Sequence, residues 1–126
     1  MFEADPEYAD MPLSELLMRV SDVNKSVVTR GRSILEVGRR AVGDVDLGAT
    51  LIAWADNPEF RSRRWAGAAT LGWIAAAAAG YSQGDPQRRA DLKAVLSRWP
   101  EADRMTLLSW AKDETWFRDM ADASTE

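Results

Sequence analysis

The chain has 126 residues, 46% hydrophobic and 29% charged, with a formal net charge of −4. That length and balance describe one folded domain able to bury a core without cross-links, and argue against disorder. Cysteine and histidine are both absent, which excludes a disulfide framework, a thiol nucleophile, Ser-His or Cys-His catalysis and the usual ligands of structural zinc.

Residues 1–11 hold Glu3, Asp5, Glu7 and Asp10 around Pro6 with no apolar period, and read as a flexible acidic arm that Phe2 or Tyr8 can anchor. An acidic start is also the opposite of a secretory signal, so the expected location is the cytoplasm. Arg outnumbers Lys thirteen to three and Ala is abundant. A GC-rich genome encodes such usage, which points to a bacterial or phage source.

A single helical domain is expected over residues 12–121. Pro12 suits the start of a helix, and an apolar period follows through Leu13, Leu16, Val20, Val23, Val27, Arg30, Ile34, Val37 and Ala41. These spacings of three and four form a heptad seam of about four heptads, interrupted only by Arg30. The stretch to residue 42 is one long helix or two hinged near Thr29 to Gly31. As an exposed stripe, Leu13, Leu16, Val20, Val23, Val27 and Ile34 would form a self-association seam and a homodimer. The ordinary alternative is burial of the same stripe within the monomer.

Asp44 or Asp46 caps a short helix over Leu47 to Ala55. The pair can also be imagined around Mg²⁺, although a two-carboxylate turn before a helix is more often a cap. Asn57-Pro58-Glu59 opens a third helix expected to run from Pro58 to about Ala79 and to stop at Gly80. Its stretch 65–84 carries no charge and is rich in Ala and Gly. A run this weak in hydropathy is read as the buried centre of a bundle rather than a membrane span, with Gly67, Ala68, Gly72, Ala75 and Ala76 letting other helices approach closely. Asp85-Pro86 opens the next helix, with Leu92, Val95, Leu96 and Trp99 as its apolar face and Pro100 closing it. A last helical region covers Glu101 to Ala121, and 122–126 is a disordered tail. Nothing alternates with period two, so no sheet is expected. The fold class is all-α, a compact bundle of about five helices around a central Ala/Gly-rich helix. Thr50 to Ala55 faintly echoes Thr106 to Ala111, which helices sharing one core explain without duplication.

Three features point toward function. Of six tryptophans, Trp99, Trp110 and Trp116, with Phe117, cluster in the C-terminal third, and such aromatics are enriched at binding hot spots. Charge is blocked along the chain: residues 1–24 carry net −5, 25–40 net +4 and 100–126 net −4. Arg30, Arg32, Arg39, Arg40, Arg61, Arg63 and Arg64 would form a phosphate-binding patch if the fold collected them, yet acidic ends can pair with a basic middle inside one fold. No catalytic, cofactor-binding or metal-binding constellation is legible; Glu114 and Arg118 suggest only a surface ion pair. The sequence therefore reads as a non-enzymatic interaction module with a protein partner and no membrane span. A nucleic-acid regulator using the Arg-rich middle is the alternative, and a small carboxylate-dependent enzyme is a third reading.

Overall fold

A computed structural model describes residues 5–66 and 69–111. Along the chain, α1 (Leu13–Ser21), α2 (Val27–Arg40), α3 (Val45–Asp56) and α4 (Pro58–Ser62) precede a minimal hairpin of β1 (Arg64–Ala66) and β2 (Ala69–Thr70). Then come α5 (Leu71–Ser82), α6 (Pro86–Arg98) and α7 (Glu101–Ala111). The architecture is the expected all-α bundle, with seven helices among the described residues rather than five, and no helix there is long and apolar enough to cross a membrane.

Helix starts follow local chemistry. Ser26, Asp44, Asn57, Thr70 and Asp85 each accept hydrogen bonds from first-turn amides, and Pro58 and Pro86 occupy first helical positions where no amide donor is needed. The Asp44 carboxylate is engaged as a cap, bonding the amides of Asp46 and Leu47 at 3.1 Å.

Two boundaries differ from the sequence reading. Residues 12–42 are two helices, but the break falls at Asp22 to Ser26 rather than at Thr29 to Gly31. Asp22 leaves the helix in extended conformation and its carboxylate accepts from the Asn24 amide, while Ser26 restarts the helix by capping Thr29. Asp, Asn and Ser compete with the helix through such local bonds. The expected helix 58–79 is likewise interrupted. After one turn of α4, Arg63 is extended, the chain makes the antiparallel hairpin pairing Arg64 with Thr70, and Thr70 caps α5. That hairpin corrects the expectation of no sheet.

The interruption lets α4 fold back on the start of α5. α5 is buried along nearly its whole length, with only Trp73 and Tyr81 partly exposed, and it packs mainly between α3 and α2, with α4, α6 and α7 completing the shell. A helix apolar on every side belongs at the centre of a bundle, and its five consecutive alanines, Ala75 to Ala79, keep the neighbouring axes close. The same core cluster includes Leu16, Val20, Ile34, Val37, Leu51, Phe60, Leu92 and Leu107, all buried. Leu51 and Leu107 hold matching places in the two echoing segments, as two helices sharing one core require.

Glycine marks the closest approaches. A Cβ at Gly72 would sit 2.8 Å from Cγ and 3.3 Å from Cα of Arg61, and one at Gly31 would overlap the Trp65 indole. Neither helix can carry a larger side chain there without shifting. We expect Gly72→Leu to destabilise the fold by about 1–3 kcal/mol or more, and Gly31→Ala to displace Trp65 with a change in its fluorescence. Urea denaturation followed by tryptophan emission checks both; wild-type midpoints would contradict the packing.

Candidate interaction surfaces

Five of the seven arginines singled out in the sequence pair with acids of the same chain. Arg30 is only 1% exposed. Its Nε donates to the Val20 carbonyl at the end of α1 at 2.9 Å, Nη1 and Nη2 donate to the two Glu59 oxygens at 3.1 and 2.5 Å, and its Cζ lies 5.0 Å over the Phe60 ring. A planar guanidinium with all three nitrogens engaged can be held inside a protein where an ammonium would be poorly matched. Arg63, one turn after Glu59, completes this carboxylate's partners at 2.8 Å.

A second cluster lies on α2. Glu36 is buried and accepts from Arg39 at 2.9 and 2.6 Å and from Arg40 Nε at 2.6 Å; Arg40 Nη2 continues to the carbonyls of Tyr8 and Ala9. Arg32 donates to Asp5 at 2.9 and 2.7 Å and to Glu7 at 3.0 Å. Arg61 lies over Trp99, 5.9 Å from the ring centroid, and Arg64 is exposed. The seven arginines do not form one open basic patch. Arg30 is interior, while Arg32, Arg39, Arg40 and Arg63 are bound to carboxylates on the same chain.

The carboxyl groups respond accordingly. Hydrogen bonds from Arg30 hold Glu59 below the ordinary Glu range against the opposing effect of burial. Burial pushes Glu36 upward, but the bonds from Arg39 and Arg40 outweigh it and leave the group below its ordinary value. The Arg32 bond likewise lowers Asp5.

The aromatic cluster divides. Trp99 is in the core, 5% exposed, donating through Nε1 to the Ala55 carbonyl at 3.2 Å. Trp110 falls within α7, while Trp116, Phe117, Glu114, Arg118 and the tail 122–126 lie outside the described residues. Trp54 stacks on Phe60 with centroids 5.9 Å apart.

The heptad positions divide as well. Leu16, Val20 and Ile34 are fully buried inside the monomer, Val27 is half-buried, and Leu13 and Val23 are exposed. Because α1 and α2 turn back on one another, the nine positions do not form one continuous stripe. From residue 5 the acidic arm is a turn packed on α2, not a free segment: Tyr8 is 2% exposed and Met11 packs on the core.

Among the described residues, a groove about 350 Å³ in volume lies open between α3 and α6. Ala49, Ile52, Ala53, Ala94 and Val95 line it, and two ion pairs border it, Arg88 with Asp91 at 2.6 Å and Arg98 with Asp56 at 3.1 Å. On α3, Ala49 and Ala53 stand one turn apart with Ile52 beside them, and α6 faces them with the adjacent Ala94 and Val95, flanked by Arg88, Asp91 and Arg98. A tight cleft between Arg61, Thr70, Trp73, Trp99 and Asp103 has room for about one water molecule. Among the described residues, no group of three or more acids stands close enough to hold a metal ion. Comparison with protein-family models, curated proteins and solved structures finds no match to this chain in any of the three.

Sequence reasoning missed Glu59 as the partner of Arg30, and the buried Gln83. The Gln83 amide donates to the carbonyls of Ala41 and Asp44 at 2.9 and 3.3 Å and lies where a Cβ at Gly48 would have to go. A signal for the first was present, since an Arg inside an apolar seam requires an acid. No local pattern says which acid.

Two outcomes follow. Glu59→Ala leaves the Arg30 charge inside without its carboxylate and should destabilise the fold by about 3 kcal/mol, the low end for a broken buried pair because water reaches Glu59. Arg98→Ala, breaking an exposed pair, should change stability by no more than about 1 kcal/mol. Glu36 and Glu59 are depressed in the folded state, so their contribution is complete above the unfolded Glu value of about 4.3 and is lost as pH falls through their folded values. Urea midpoints should therefore hold between pH 7 and about pH 5, then drop below about pH 4, with a shallower drop in Glu59→Gln. An acid dependence identical in that variant contradicts the assignment.

Proposed function

We propose that this chain is a protein-binding module that receives a partner helix in the groove between α3 and α6. The observation that carries the reading is the groove's composition. Small and aliphatic side chains line an open trough, so a helix can approach closely and bury its apolar face, and the ion pairs along the edges supply charges of both signs to set its register. A partner helix with small or aliphatic residues at helical spacing, and charges on its flanks, fits that chemistry.

The same balance of charge weakens the nucleic-acid alternative. A phosphate-binding surface needs cations free to replace counterions. Here Arg30, Arg32, Arg39, Arg40, Arg63, Arg88 and Arg98 all bond carboxylates of the chain itself.

The test is reconstitution. A tagged chain expressed in its source cells should retain a polypeptide that, once purified, re-forms a stoichiometric complex with it. Ala53→Glu and Ala94→Arg, at exposed positions of the groove, should each weaken that complex at least tenfold, about 1.4 kcal/mol, while leaving the circular dichroism spectrum unchanged. A partner indifferent to both substitutions would remove the groove from the proposal. A tight shift of an oligonucleotide, steeply salt-dependent and diminished by Arg39→Ala with Arg40→Ala, would replace it with the nucleic-acid reading.

A further inference from the structure

The turn formed by residues 5–11 reaches the core through Tyr8, with Met11 packed beside it, and is otherwise held by side-chain ion pairs and hydrogen bonds, as a bound peptide would be. Its anchor is Tyr8, buried to 2% exposure, with the guanidinium carbons of Arg32 and Arg19 at 4.7 and 5.9 Å from the ring centroid. Around the anchor lies a charged fringe. Asp5 and Glu7 both bind Arg32, and Asp5 and Glu7 are 28% and 63% exposed. Arg40 donates to the carbonyls of Tyr8 and Ala9 and is itself fixed by the buried Glu36. One buried aromatic surrounded by solvent-screened ion pairs is how short peptides are recognised at hot spots, and pairing of acidic residues with arginines is a recurrent recognition mode.

The seat is built by other parts of the chain. Arg19 comes from α1, Arg32 and Arg40 from α2, and Arg40 is bonded to Glu36 of its own helix, a contact that does not involve the turn. Within the turn the backbone bonds are local: the Tyr8 and Ala9 amides donate to Asp5 and the Met11 amide donates to Tyr8. Among the described residues, its hydrogen bonds to the rest of the fold are made by the side chains of Arg32 and Arg40.

We propose that this arginine-lined seat on α1 and α2 is a recognition site for an acidic, tyrosine-bearing peptide of a partner protein, with residues 5–11 as its exchangeable intramolecular occupant. The tethered segment competes at an effective concentration of about millimolar, so the site stays closed to weak ligands and opens to a partner peptide that makes the same contacts more strongly. This site is separate from the α3 and α6 groove, and either can fail without the other.

Two measurements test it. In the unmodified full chain, hydrogen exchange should show the Tyr8, Ala9 and Met11 amides exchanging at least about a hundredfold faster than those of Ala75 to Ala79, because undocking is a local opening. Equal protection would mean that the turn leaves only when the whole fold does, and overturns the proposal. In the second, a fluorescein-labelled peptide of residues 5–11 is titrated into the full chain and into a variant carrying Asp5→Asn, Glu7→Gln and Tyr8→Ala. The loosened variant should bind at least about tenfold more tightly than wild type, since its seat is no longer occupied. Binding should weaken between about 50 and 500 mM salt and disappear when Arg32→Glu is added. A folded loosened variant that binds no peptide overturns the proposal. So does one that prefers an oligonucleotide, and so does one that fails to fold, because an exchangeable occupant is not one that the fold requires.

Discussion

A guanidinium enclosed almost completely by its own protein, as Arg30 is, constrains everything around it. Removing such a charge from water is unfavourable by several kcal/mol unless it is paired and hydrogen-bonded. Here the end of α1 supplies a carbonyl, α4 supplies both oxygens of Glu59, and Phe60 offers its ring face. Those contacts hold three helices in one arrangement. With α4 drawn toward α2, the backbone of Arg61 reaches Gly72, and the hairpin that follows carries Trp65 against Gly31. The two glycines are consequences of that geometry, since any side chain there would push α4 or the hairpin away from the pair.

α5 adds the second constraint, close packing without bulk. Alanines give little area per residue, so a helix made of them contributes by letting larger residues on α2, α3 and α6 converge across it. Polar groups at its far end are held as carefully as the charge at its near end. Gln83 bonds the carbonyls of the turn joining α2 to α3, its own carbonyl accepts from Arg89, and Gly48 leaves it room. A buried amide so satisfied fixes a loop that few apolar contacts could hold.

Among the described residues, the acidic and basic blocks of the first half of the chain are, in three dimensions, largely a record of intramolecular pairing. The acidic start lies on the basic second helix through Asp5, Glu7 and Arg32, while Glu36 engages Arg39 and Arg40 and Glu59 engages Arg30 and Arg63. A net-negative chain can thus carry an arginine-rich middle without presenting a strong positive field. Among the described residues, the trough between α3 and α6 is lined by Ala49, Ile52, Ala53, Ala94 and Val95 and bordered by charges of both signs that are paired with one another.

Helix type, most helix starts and the burial of residues 71–80 are local properties, set by capping residues, prolines and the absence of charge, and the sequence by itself determined them. It also marked Arg30 as anomalous and Gly72 as a contact point. It did not determine that the chain reverses at Asp22 to Ser26, where short-range bonds of Asp, Asn and Ser outweigh a continuing apolar period. Nor did it show that the uncharged run breaks at Arg63 to Thr70 so that α4 can bring Glu59 to Arg30. Which acid meets which base, and whether Trp99 faces a partner or the Ala55 carbonyl, depend on residues 29 and 44 positions apart. Only the tertiary structure decides such pairings, because side-chain periodicity records which face of a helix is buried but not what lies against it.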